Sequence, residues 1–432
     1  MNTSTKKGKG LGEYMPLAFA AGIGSMLGSG IIVGLSATIV VWQEGLGLDT
    51  TQVGLLSGIL TFAIAFGSLF GGRLADKIGR VLFFNWINLF YAIGAAICVF
   101  APNFTVLLIG LIIAGLASGA DLPVSMTIVS HDAPDEATAA QLVSTTQVFW
   151  QVGVFISFIC AFLVSAMQGA TGGRVVFAIL TVFAVIAWLW RLLSPTFRRF
   201  HEAADVRDAA RPAAVGNGKV SVTKVLFGAD KKVLLTYFLA IVIFYVGWNL
   251  LANTWGQFQT YMFSKAGAAQ SLATGLGIIL NFVTLVLNIV FASIAGGKYR
   301  NKAFFAGIVI SLIAMAAMAM GGADLWVIVG ATAFMNLGSP LAGEALYKVW
   351  TQESFPIEIR ASVQGFINGF SRLCCGLFAL ITPALVLPET IQATMWCFAA
   401  IVVVEGIAGT VMIRAQKKYG TDEERQFAKA NA

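Results

Sequence analysis

Five ionisable side chains stand in stretches that are otherwise apolar: Asp121, Glu344, Lys348, Arg372 and Glu405. A charge inside hydrocarbon is costly and has to face a cavity or a partner, so each of the five is a candidate for chemistry. A carboxyl in such a place can take up and release a proton, and a guanidinium or ammonium can clamp an anion. Asp121 has no basic neighbour in its own apolar stretch, which makes it the first candidate for a proton carrier. The alternative is permanent pairing with Lys348 or Arg372. Glu344, the second proton candidate, lies four residues before Lys348, so the two share a helical face and can neutralise each other.

Amides offer a second chemistry. Tyr245, Asn249, Asn253, Gln257 and Tyr261 recur at intervals of four, a polar stripe on one face of a helix that is otherwise apolar. Amides facing lipid would go unsatisfied, so the stripe faces other helices or water. An amide both donates and accepts, which suits a polyhydroxylated ligand better than an apolar one. Hydrogen bonding between helices is the alternative use for any one of these residues. Trp150, Trp248 and Trp350 offer flat surfaces for a sugar ring, or packing.

The elements that position these residues follow from composition. The chain has 432 residues, 58% of them hydrophobic and 11% charged, with a mean hydropathy of +0.82. A soluble chain carries about 25% charged residues. Runs of about 20 apolar residues, enough to cross a bilayer as helix, fall near residues 17–42, 52–72, 82–101, 105–130, 139–166 and 175–193. A second set falls near 233–263, 271–296, 303–321, 325–353, 361–386 and 392–414. The expected fold is an all-α membrane protein of twelve transmembrane helices in two pseudo-symmetric six-helix bundles. Residues 1–193 form the N-terminal bundle, 194–232 a polar linker, 233–414 the C-terminal bundle and 415–432 a tail.

Positive charge orients this map. Of the 28 Lys and Arg, only Arg174 and Lys265 fall in the loops opposite the N-terminus, Lys348 and Arg372 lie within spans, and all the others lie on the N-terminal side. Short cytoplasmic loops collect Lys and Arg, so both termini are expected in the cytoplasm. The same bias accounts for the pI of about 9.2 without nucleic acid. Lys6, Lys7 and Lys9 precede a long first span with no secretory leader, so that span is expected to remain as an anchor. The five cysteines, Cys98, Cys160, Cys374, Cys375 and Cys397, all fall in apolar spans, where packing is their expected role. The two His, the absence of a catalytic constellation and the lack of a phosphate-binding Gly-Lys-Ser/Thr motif argue against an enzyme or an ATP-driven pump. No metal or cofactor is expected.

The two halves echo each other. His131-Asp132-Ala133-Pro134 leads to Gln141 after the fourth span, and Glu353-Ser354-Phe355-Pro356 leads to Gln364 after the tenth. Asp121 and Glu344 precede these prolines by nearly equal distances. Parallel repeats of this kind place a substrate site between the halves near the midplane.

Between spans two and three the chain reads Gly71-Gly72-Arg73-Leu74-Ala75-Asp76-Lys77-Ile78-Gly79-Arg80. This closely resembles the signature loop of the major facilitator superfamily, Gly-x-x-x-Asp-Lys/Arg-x-Gly-Arg. The resemblance implies a conformational latch of Gly72, Asp76, Lys77, Gly79 and Arg80, a charge contact made in one access state and broken in the other. The matching segment after span eight, Gly296 to Lys302, lacks the Asp. Further stretches resemble the sugar porters of that superfamily: Gln147 to Gly153, Gly247-Trp248-Asn249, Gly277 with Asn281 and Thr284, and Glu353 to Arg360. This implies sugar-hydroxyl contacts from Gln147, Asn249 and Asn281. With Gln151, Trp248, Asn253, Lys348 and Arg372 they make the expected substrate-binding set.

Some segments depart from the sugar-porter pattern. Span one reads Leu27-Gly28-Ser29-Gly30 where proton-coupled sugar porters have Gly-Tyr-Asp, and Phe244-Tyr245 stands in place of a paired Gln. Glu344 to Lys348 replaces Gly-Pro-x-x-Trp. Gly119-Ala120-Asp121-Leu122-Pro123 resembles the Gly-Asp-x-Pro of phosphate and organic-anion proton symporters. Glu405 lies in span twelve, which is commonly peripheral in this architecture. The expected function is proton-coupled symport of a sugar or cyclitol such as inositol across the plasma membrane, by a monomer. The alternatives are symport of a small organic anion such as a sugar acid, clamped by Lys348 and Arg372, and drug export.

Overall fold

The computed structural model describes residues 11–133, 136–210, 226–228, 230–294, 298–422, 424–425 and 427. The described residues form helices joined by short turns. In chain order these are α1 (Leu11–Leu46), α2 (Thr50–Ile78), α3 (Arg80–Val99), α4 (Phe104–Asp132), α5 (Glu136–Leu163), α6 (Thr171–Leu193) and α7 (Pro195–Ala210). They continue with α8 (Lys231–Lys265), α9 (Gln270–Ile294), α10 (Arg300–Gly321), α11 (Leu325–Leu341), α12 (Glu344–Ser354), α13 (Ile357–Leu385) and α14 (Ile391–Tyr419). Among the described residues, eleven segments are long and apolar enough to cross a membrane, with α11 and α12 counted as one, and α5 adds the apolar helix Val148–Leu163. Together they fill the twelve expected positions.

Helix starts are made by side chains that satisfy the first free backbone N–H groups. At α2 the Gln52 amide N–H donates to Asp49 Oδ1 (2.7 Å) while Asp49 N–H donates to Gln52 Oε1 (3.0 Å), a reciprocal cap. Asn103 caps α4 by accepting from Val106 N–H, and Asp324 caps α11 by accepting from Trp326 and Val327.

Four local features differ from the expectation. The signature segment is not a loop: α2 runs through Ile78, and the turn into α3 is the single residue Gly79, whose φ of 108° suits a residue without Cβ. The expected linker begins with a helix, α7; residues 211–225 lie outside the described residues. Span ten is broken at Ala342-Gly343, so Glu344 opens a new helix. The last span extends beyond residue 414 to Tyr419.

Contacts gather the chain into two compact units whose borders differ from the six-and-six division. One unit comprises residues 1–34, 63–157 and 174–216, the other 35–62, 158–173 and 217–432. In the first, Leu17, Phe84, Val129, Leu142 and Phe197 share a core, which places α7 against α1, α3, α4 and α5. α3 and α4 approach at Gly94 and Gly110, where small residues let backbones close in. In the second, α10 and α11 meet the same way at Gly307 and Gly338, the equivalent pair of spans. Its core centres on Tyr237, Phe244, Phe304, Tyr347 and Trp350. This unit also holds the ends of α1 and α2: Gln257 Nε2 donates to Thr61 Oγ1 (2.8 Å), and a Cβ added at Gly58 would meet the Leu380 side chain.

Candidate functional site

In the first unit the one mid-span carboxylate is Asp121 on α4. Its own span supplies no basic neighbour, and its partner comes from another, Arg191 near the end of α6. Arg191 Nη1 donates to Asp121 Oδ1 (2.7 Å) and Nη2 to Oδ2 (3.1 Å), with both side chains buried. Nη1 also donates to the Phe84 carbonyl (3.1 Å) and Nη2 to that of Ala20 (2.7 Å), Nε has no hydrogen-bond partner among the described residues, and the Phe84 ring lies 3.9 Å beneath the guanidinium carbon. Ser125, one turn after Asp121, donates to its Oδ1 (2.9 Å). Room for the pair comes from Gly24, since a Cβ there would overlap the Asp121 carboxylate.

Arg191 reads in the sequence as one more inside-positive loop charge. The signal that could have found it is its position inside the apolar stretch 175–193, one full turn of which still follows Trp188. A buried pair of this kind survives only with good geometry and further hydrogen bonds, and both are present here.

In the second unit, helices α8, α12 and α13 bring together half of the expected binding residues, Trp248, Asn249, Lys348 and Arg372. Tyr245 stacks on Tyr347 (ring centroids 3.8 Å) and on Trp248 (5.7 Å), and Trp248 Nε1 donates to Ser339 Oγ (2.9 Å). Asn249 Nδ2 donates to Ser371 Oγ (2.9 Å). Arg372 Nε donates to Asn368 Oδ1 (3.0 Å), and Arg372 acts electrostatically on both Glu344 and Tyr245. Glu344 and Lys348 form the expected pair at 2.8 Å, with 43% and 36% of their side-chain surfaces accessible. Glu344 sits in the first turn of α12, where the helix dipole favours a carboxylate. Trp248, Asn249 and Arg372 are half-buried alongside.

Other expected residues lie apart from this cluster. Asn253 accepts from Gln257 (2.8 Å), which also holds Thr61, so this part of the stripe ties helices together. Asn281 Nδ2 donates to Gly277 O one turn back on α9 (2.9 Å). Gln151 is half-buried on α5 of the first unit, and the Gln147 side chain lies outside the described residues. So does the Asp76 side chain; Lys77 and Arg80 are exposed and Gly72 is half-buried. Tyr347, Asn368 and Ser371 join the site unforeseen, because isolated hydroxyls and amides carry no spacing signal.

The repeat noted in the sequence has a counterpart at the helix ends. Asp132, ending α4, pairs with His201 on α7, and Glu353, ending α12, pairs with Arg300 at the start of α10 (2.6 Å). On α14, Glu405 is 3% exposed and lies against Gly247 of α8.

Two helical repeats with paired charges and an aromatic, amide-bearing surface inside apolar spans define a membrane transporter. The chain belongs to the major facilitator superfamily, whose family model matches residues 17–379. It is 30% identical to the minor myo-inositol transporter IolF of Bacillus subtilis (strain 168) over 85% of this chain and 83% of that one. A local match, 32% identical over 35% of this chain and 34% of the other, joins it to the niacin transporter NiaP of Acinetobacter baylyi. Among solved structures, a D-xylose–proton symporter has a TM-score of 0.74 at 14% identity, covering 92% of this chain and 97% of that chain, a likeness of fold. Members of this family are transporters, and the chain is not an enzyme.

Proposed function

We propose that the chain is a proton-coupled symporter that carries a sugar or cyclitol such as inositol into the cell across the plasma membrane, with both termini cytoplasmic. The observation that carries the substrate reading is the surface of α8, α12 and α13, where Trp248 and Asn249 stand beside the Glu344–Lys348 pair and Arg372. An indole face stacks on a sugar ring, and amide and charged groups hydrogen-bond its hydroxyls. The similarity to a myo-inositol transporter supports the same class of solute. Gln147, Gln151, Asn253 and Asn281 are proposed to complete the set from their own helices.

The ion pairs supply the proton chemistry. Protonating Asp121 or Glu344 removes the charge that holds Arg191 or Lys348, and the freed cation then needs another acceptor, which a solute hydroxyl or a carbonyl provides. The signature residues Gly72, Asp76, Lys77, Gly79 and Arg80 are proposed to act as the latch between access states. The protein is proposed to work as a monomer.

A second reading, symport of a small organic anion, draws on Arg372 and on the local match to a niacin transporter. It is weaker because Lys348 is already neutralised by Glu344. Uptake of labelled myo-inositol, xylose and glucuronate into proteoliposomes, with and without an inward proton gradient, tests both. Gradient-dependent uptake of a neutral polyol is the expected result. Uptake of glucuronate alone, abolished by Arg372→Gln, would replace it with the anion reading, and uptake indifferent to the gradient would remove symport.

A further inference from the structure

Of the three mid-span carboxylates, Asp121 has Arg191 and Glu344 has Lys348. Glu405, on α14, has no cation within ion-pair distance among the described residues. Its side chain is buried at 3% exposure, and its Oε1 has no hydrogen-bond partner among the described residues. The groups around it bear this out. On α8, which packs along it, the titratable side chains are Lys231, Lys232, Tyr237 and Tyr245 before Gly247 and Tyr261 and Lys265 well beyond it, with Tyr245 turned to Tyr347. α10 carries Arg300 and Lys302 only at its start, while its Ile308 is what meets Gly406. α13 touches α14 through the Phe378 and Phe398 rings, and its Arg372 acts on Glu344 and Tyr245. On α14 itself, Cys397 and Arg414 are each two turns or more away.

An ionised carboxylate is strongly disfavoured in a low-dielectric interior when its buried oxygen has neither cation nor hydrogen bond. The neutral acid costs far less. The packing adds a mechanical link, because Glu405 rests on the backbone of Gly247: a Cβ there would stand 2.8 Å from its Cγ and 3.2 Å from its Oε1. The next two residues on α8 are Trp248 and Asn249 of the candidate substrate surface. Ionising Glu405 requires water or a cation at that seam, and admitting either separates α8 from α14 at the point where α8 presents those two side chains.

From this geometry we infer that Glu405 is a proton-binding site of the transport cycle, holding its proton while α8 lies against α14 at Gly247 and giving it up when that seam opens. The transport half of this inference rests on the proton-coupled reading above; the proton occupancy of Glu405 does not. The site differs in kind from the two ion pairs, since it takes up a proton without any cation having to be displaced.

Two measurements on the purified full-length protein test it. Infrared difference spectroscopy of wild type against Glu405→Gln at neutral pH reads the carbonyl band of a protonated carboxyl in apolar surroundings. The band is expected in wild type and lost in the variant, whatever solute is carried, and its absence from wild type overturns the inference. In proteoliposomes, one proton per solute gives about tenfold accumulation of labelled myo-inositol per pH unit of inward gradient. Glu405→Gln, isosteric with the neutral acid, is expected to exchange labelled myo-inositol across the membrane yet lose that roughly tenfold accumulation. Accumulation equal to wild type overturns the coupling role, and so does loss of exchange together with accumulation, which marks a packing role. A wild type that carries the solute without regard to the gradient removes the symport reading instead, and leaves the infrared result standing on its own.

Discussion

Asp121 and Arg191 show how a single partner changes the meaning of a residue. Alone in an apolar span, a carboxylate needs to displace nothing in order to take up a proton; held by two guanidinium nitrogens and a serine hydroxyl, it has to loosen that hold first. Removing one member of such a pair strands the other, at about 3–5 kcal/mol, whereas replacing both by neutral hydrogen-bonding groups costs much less. Arg191→Leu is therefore expected to lower the thermal midpoint in detergent by several degrees or to prevent folding, and Asp121→Asn combined with Arg191→Gln to recover most of the loss. Equal destabilisation by the single and double variants would show that the pair itself carries no weight. Glu344 and Lys348 sit one turn apart and partly accessible, so the same treatment there is expected to change stability by less than about 1 kcal/mol.

At the scale of elements, α7 is the part that sequence composition hides. Its residues Pro195 to Ala210 are polar on average, yet Phe197 is 1% exposed among Leu17, Val129 and Ala133, and Phe200 stacks on Tyr14 (5.2 Å). A short amphipathic helix buries only a few large side chains, so its attachment depends on them one by one. Phe197→Ala removes contacts worth about 3–5 kcal/mol. It is expected to speed tryptic cleavage at the exposed Arg198 and Arg199 by at least about tenfold, since cleavage follows the population of the undocked helix. Unchanged cleavage would mean that His201 and Asp132 hold α7 without the aromatic anchor. The broken span ten belongs to this scale too: with Pro340 and Gly343 at the interruption, α12 starts afresh and aims its first turn, with Glu344, at the residues of α8 and α13.

For the whole molecule, the second compact unit contains the ends of α1 and α2 as well as the C-terminal helices. Gly54 and Gly58 of α2 lie so close to Leu380 of α13 that a Cβ at either would overlap it, and Gln257 of α8 reaches Thr61. A transporter that alternates access by moving its repeats has to open contacts of this sort once per cycle. A disulfide between Gly58→Cys and Leu380→Cys, in a background with the native cysteines replaced by serine, is expected to stop uptake on oxidation and to restore it on reduction. Uptake unaffected by the formed disulfide would show that this seam stays closed throughout transport.

The helical spans were legible in the chain, because a bilayer tolerates few solutions: about 20 apolar residues per crossing and backbone groups satisfied within each helix. The Glu344–Lys348 pair was legible for a similarly local reason, one helical turn between opposite charges. What the chain could not disclose by itself were contacts set by helix packing over long separations. Arg191 meets Asp121 from seventy residues away, α7 finds its seat between distant helix ends, and Glu405 is placed against Gly247 by the approach of α8 to α14. Hydrophobicity fixes how deep a residue lies but not which neighbour it meets. Tertiary structure therefore decided which buried charges meet a partner among the described residues and which do not.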